Sequence, residues 1–102
     1  MKETITLRRS VQEDGKEIKT IDLDLDRLTG RDLADAEREY LALGGIPTNM
    51  NVSVNYQQIV AAKACGLDAD VVKRMGAKDA AYLATRVQAF LLDMDLPSPE
   101  KE

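Results

Sequence analysis

The sequence predicts an α+β domain: an N-terminal antiparallel β-hairpin packed on three to four α-helices. Two period-two stretches flank a turn signal near the N-terminus, and the long apolar patterns after residue 30 have helical spacing. The chain has 102 residues, 44% apolar and 31% charged, which is globular composition at single-domain length. We read residues 1–95 as one domain and 96–102 as a flexible tail. Aromatics are scarce and Trp is absent, so the core must rest on Leu, Ile, Val, Ala and Met.

The first strand is "TITLRRSV", with Ile5, Leu7 and, after a lapse at Arg9, Val11 on one side. "EDGK" at 13–16 is a turn, with Gly15 supplying a positive φ. "EIKTIDLDLDRL" then alternates through Ile21, Leu23 and Leu25, with Asp22, Asp24 and Asp26 between them. Ile18 is out of phase with Ile21, which places a bulge between those two residues. A hairpin with one apolar face is marginal alone, so a helix must cover it.

"TGRDLADAEREYLALGG" supplies that helix. Thr29 is its N-cap, with Asp32 completing a short capping box. Leu33, Ala36, Tyr40 and Leu43 share a face, and Gly44–Gly45 ends it. The connector "IPTNMNVS" follows. Ser53 caps a second helix carrying Tyr56, Ile59, Val60 and Ala64, which stops at Gly66. Asp68 or Asp70 starts a short helix through Val71, Val72 and Met75. The last helix, "AKDAAYLATRVQAFLLDM", has an apolar stripe of Leu83, Val87, Phe90, Leu91 and Met94, read as core. Asp93, Asp95, Pro97 and Pro99 mark its stop.

Composition excludes several function classes. A net charge of −4 argues against broad phosphate binding, so no nucleic acid is expected. No apolar run approaches the roughly 20 residues that span a bilayer, and "MKETITLRRS" is no signal peptide. No membrane association is expected, and a lone cysteine fits a reducing cytoplasm. The chain has no histidine, which removes Cys–His and Ser-His-Asp catalysis. Cys65 sits at a helix C-terminus, where thiolate is disfavoured, so it reads as a small packed side chain. "DLDLD" at 22–26 lacks the Gly and closing Glu of a calcium loop and reads as a solvated strand face. We therefore expect no enzyme, no metal site and no cofactor.

What remains is surface. Ile46, Met50, Val52 and Tyr56 lie on or just after a connector, where apolar side chains are costly without a use. They are the candidate partner-binding residues.

"TITLRR…DGKEIKTIDLDLDRLTGRDLADAE" followed by "NYQQIVAAKACGLDADVVKRMGAKDAAYLATRVQAFLL" resembles the tail assembly chaperones of long-tailed bacteriophages, closest to the gpE-like group. The likeness runs from about Thr4 to Leu92. It is carried by Asp14-Gly15-Lys16, by Leu28-Thr29-Gly30-Arg31-Asp32, and by Asp79-Ala80-Ala81 leading into Phe90-Leu91. These are packing and capping motifs without catalytic content. Ser10 stands where many members have Pro, which bears on strand-edge geometry.

The resemblance implies a protein of the host bacterial cytoplasm that binds the tape measure protein and keeps it soluble. It would help recruit tail tube subunits and be absent from the mature virion. It also implies a longer form, made by frameshifting near the codons for Glu100, Lys101 and Glu102, that adds a tube-binding domain. Self-association stays open. So do two other readings: a structural tail or head-completion subunit, and a small regulatory binding module.

Overall fold

The computed structural model describes residues 2–48 and 50–92. Strands β1 (Lys2–Glu13) and β2 (Lys16–Asp24) form an antiparallel hairpin. Asp14 and Gly15 both have positive φ, 52° and 77°. Asp-Gly tolerates this, and the resulting turn matches the twist of the strands. Ile5 faces Ile21 and Val11 faces Ile18, with a register shift between Thr6 and Val11. Residues 7–10 thus lie opposite Lys19 alone. The irregularity expected between Ile18 and Ile21 has its extra residues on the other strand. The lapse at Arg9 is the point where β1 bulges.

The alternation does not run on through Asp26 as one strand. β2 stops at Asp24, and Leu25–Arg27 form a 3₁₀ turn. That turn delivers the chain to α1 (Gly30–Ala42), capped as expected. The Asp32 N–H donates to the Thr29 hydroxyl at 3.2 Å, and the Thr29 N–H donates to the Asp32 carboxylate at 2.8 Å. A second 3₁₀ turn (Met50–Val52) precedes α2 (Val54–Cys65), α3 (Ala69–Arg74) and α4 (Ala77–Leu92). Gly66 closes α2 at φ 73°. The Leu67 N–H then reaches the Ala62 carbonyl at 2.8 Å, the six-to-one bond of a Schellman stop. The expected tail 96–102 and the stop signals at 93–95, with Met94, lie outside the described residues.

α2 is the centre of the fold. Tyr56, Gln57, Ile59, Val60, Ala61, Ala62 and Ala64 are all buried, so the helix is covered nearly all round, as a core helix is. It touches β2, α1, α3 and α4. The hairpin is therefore covered by α2 on β2 and by α3 and α4 on β1, and α1 packs on α2 instead. The sequence reason is that α1 buries only Ala36 and Tyr40, a stripe too narrow to serve two layers. Leu23, Ile59, Val60, Val71, Val72, Leu83 and Val87 are the fully buried large side chains. Each contributes about 1.5–3 kcal/mol through removal from water.

Two expected core residues are not in the core. Leu43 falls just past α1 and is 63% exposed. Phe90 is 37% exposed. Leu91, the next residue, packs against the core, so the last turn of α4 keeps Leu91 inward and turns Phe90 aside.

Candidate functional site

The connector between α1 and α2 is held at both ends by buried side chains. At its start, Gly44 takes φ 90° and the Gly45 N–H donates to the Tyr40 carbonyl at 3.0 Å. The Gly44 N–H donates to the Leu41 carbonyl at 3.0 Å, so α1 also ends in a Schellman stop. The chain then folds back over the Tyr40 ring. The Tyr40 hydroxyl donates to the Ile46 carbonyl at 2.9 Å and accepts from the Ile46 N–H at 3.2 Å. Gly45 makes this possible, because a Cβ there would lie 2.4 Å from the ring. At the far end the buried Gln57 side chain donates to the Asn51 carbonyl at 2.9 Å. The Tyr56 N–H meets the Ser53 hydroxyl at 3.5 Å, capping α2.

The four candidate residues divide between surface and support. Ile46 and Val52 are 67% and 53% exposed. Met50 is half-buried and packs on the core. Tyr56 is only 3% exposed, with its ring edge-on to Tyr40 at 5.9 Å between centroids. The surface gains Leu43, which the sequence reading had assigned to the helix face. Leu43, Ile46 and Val52 line one open depression of about 500 Å³, with Thr48 and Gly45 between them. The signal for Leu43 was its place immediately before Gly-Gly, where a side chain leaves the helix face. The roles of Gln57 and of the Tyr40 hydroxyl had no local signal.

Two titratable side chains of α2 are shifted towards their neutral forms. Burial, with Asp22 adding to it, pushes the Cys65 thiol up to about 11, so it stays protonated at neutral pH. Burial likewise raises the Tyr56 phenol. Asp22 accepts from the Thr4 hydroxyl at 2.7 Å, a cross-strand polar contact on the exposed sheet face. Among the described residues no helix is long and apolar enough to cross a membrane.

A family model for phage tail assembly chaperone proteins, E, or 41 or 14, matches residues 4–92. The chain belongs to the phage tail assembly chaperone family. The match covers nearly the whole described fold, from β1 to the end of the described part of α4. No curated protein and no solved structure matches this chaperone. The connector surface therefore has to be read from the chaperone's own residues.

Proposed function

We propose that this chaperone binds the tape measure protein in the host bacterial cytoplasm and keeps it soluble until tail tube subunits polymerise around it. In this reading it is non-enzymatic, takes no cofactor and is absent from the mature virion. The observation that supports it is the apolar connector surface. Leu43, Ile46 and Val52 are large, exposed and grouped, and a contiguous apolar surface marks a contact site. Tyr40 and Gln57 hold the backbone in place beforehand, which lowers the ordering cost of binding. Ile46 and Val52, with Leu43, make the contact. Met50 and Tyr56 support it from beneath.

The test is co-purification of overlapping tape measure fragments with the chaperone and with its Ile46→Ser/Val52→Ser variant. The expected result is loss of a fragment that the unaltered protein retains, with circular dichroism unchanged. Equal retention would move the contact elsewhere on the molecule. Mass spectrometry of purified virions tests the second point, since a structural subunit would be present there. Tube recruitment fits a longer form in which residues 96–102 connect the 1–95 domain to a tube-binding extension, raising local subunit concentration. The nucleotide sequence around the codons for Glu100, Lys101 and Glu102 tests that. Whether the chaperone acts as one copy or several follows from light scattering of the fragment complex.

A further inference from the structure

A second groove of about 520 Å³ lies on a different part of the molecule, between β1 and the first half of α4. Its floor and one wall are Ile5, Ala81 and the exposed ring of Tyr82. Its charge is decided by which groups are already engaged. Glu3 accepts from the Tyr82 hydroxyl and from Arg86 Nε, the latter at 3.1 Å. Asp79 is buried, 6% exposed. It accepts the Arg8 N–H at 3.0 Å through both oxygens and the Arg9 N–H at 3.2 Å. Both acids of the lining thus have their oxygens turned to groups of the protein, Glu3 to the Arg86 cation and Asp79 to neutral amides. The cations Arg8 and Lys78 are exposed, and no acidic side chain among the described residues pairs with either. A smaller depression continues from the same residues past Arg9, where Gly76 leaves room for the Arg9 side chain to cross. Counting Arg9 and Arg86 with the lining, four cations stand against the two acids Glu3 and Asp79, so in a chain of net charge −4 this surface is locally positive.

The groove also runs beside a strand edge. The sheet of the described residues has only β1 and β2, so the outer edge of β1 carries no strand. Asp79 takes the backbone N–H groups of residues 8 and 9, and residues 3–6 line the groove. We infer that the β1–α4 groove is a second docking site, which takes an extended acidic peptide segment. The segment lies along the outer edge of β1, with its carboxylates toward Arg8 and Lys78 and its apolar side chains on Ile5 and Tyr82. Strand addition supplies affinity and the flanking charges supply selection. The connector surface takes no part in it.

The probe is a fluorescein-labelled peptide of alternating Glu and Val. The controls are its Lys/Val counterpart and a thymidine oligonucleotide, added to full-length protein. Saturable binding of the Glu/Val peptide alone is expected, with amide shifts confined to residues 3–8 and 78–85. Arg8→Glu/Lys78→Glu should weaken it by about tenfold or more, and the milder Arg8→Gln/Lys78→Gln by less. Ile46→Ser/Val52→Ser should leave it unchanged, which separates this site from the tape measure contact. Absence of saturation, equal binding by the charge-reversed variant, shifts at the connector, or preference for the oligonucleotide would each overturn the proposal.

Discussion

The Asp79 carboxylate, in the first turn of α4, accepts the backbone N–H of Arg8 on β1 through both oxygens at 3.0 Å, 71 residues away in sequence. The neighbouring Arg9 N–H reaches the same carboxylate. These two amides belong to the bulged stretch of β1, where the register shift removes regular strand pairing. One buried side chain therefore replaces a ladder that the strand lacks, and an acid at a helix N-terminus is electrostatically favoured there. Asp79→Ala would leave both amides without that acceptor. The expected loss is about 3 kcal/mol by urea denaturation, with Asp79→Asn losing less because it keeps one carbonyl oxygen. A midpoint for Asp79→Ala close to the unaltered protein would show that the bulge is held by other contacts.

Features whose cause is local were legible. Thr29 and Asp32 form their box within four residues, Asp-Gly forms its turn alone, and Gly66 sits where a left-handed residue is needed. The sequence also located a bulge, because Ile18 and Ile21 cannot share a face in a regular strand. It placed the bulge on β2, between those two residues, whereas the extra residues are on β1. That depends on Asp79 being present across the molecule, and a lone Asp in "AKDAAY" reads as ordinary helix-start chemistry. The same limit applied to the site. Apolar residues on a connector were visible, but the burial of Tyr56 depends on Tyr40 meeting it edge-on. That contact brings together two helices whose packing no local pattern states.

The Thr29–Asp32 box gives a stability term with a known pH direction. The Thr29 N–H holds the Asp32 carboxyl below its ordinary range. A depressed folded value means the stabilisation is present above the ordinary carboxylate range and is lost as pH falls through the lowered value. Thr29→Ala should cost about 1 kcal/mol at neutral pH. Asp32→Ala removes the carboxylate that titrates, so its deficit should shrink in acid, where the unaltered protein loses the same interaction, whereas Thr29→Ala keeps the Thr29 N–H and its deficit should depend less on pH. Urea midpoints at several pH values check this, and an Asp32→Ala deficit constant down to strong acid would contradict it.

Leu83 and Phe90 are seven residues apart on α4 and should behave differently. Leu83 is fully buried, so Leu83→Ala should cost about 2–5 kcal/mol through cavity formation. Phe90 is 37% exposed, so Phe90→Ala should cost clearly less than Leu83→Ala. Thermal unfolding of the pair decides it. Equal, large losses would place Phe90 in the core after all.

Cys65 should be chemically quiet. With its thiol at about 11, iodoacetamide should modify the folded protein slowly at neutral pH and the urea-unfolded protein at the rate of an ordinary thiol. A raised folded value also means that stability from the buried neutral thiol is present at neutral pH. It is lost as pH climbs from the ordinary thiol range towards about 11. Cys65→Ala should remove that part of the alkaline destabilisation. Rapid alkylation of the native protein would contradict both statements.

The connector surface depends on Tyr40, and two substitutions separate its hydroxyl from its ring. Tyr40→Phe removes the group that both donates to the Ile46 carbonyl and accepts from the Ile46 N–H. Ile46 is exposed, so water can replace these bonds, and the stability loss should be about 1 kcal/mol or less. The loss of order should be larger in effect: the Ile46 amide should exchange with solvent faster, by about tenfold. Tape measure fragments should bind more weakly because the loop must then be ordered on binding. Gly45→Ala acts differently. Its Cβ would stand 2.4 Å from the Tyr40 ring, forcing ring or loop to move at about 1–3 kcal/mol. Gly44→Ala is the control, because open space surrounds that position and only its φ of 90° opposes a side chain. If Ile46 exchange is unchanged in Tyr40→Phe while Gly45→Ala still weakens fragment binding, the ring shapes the surface and the hydroxyl does not. Unchanged exchange and binding in both variants would mean that the connector is held without Tyr40.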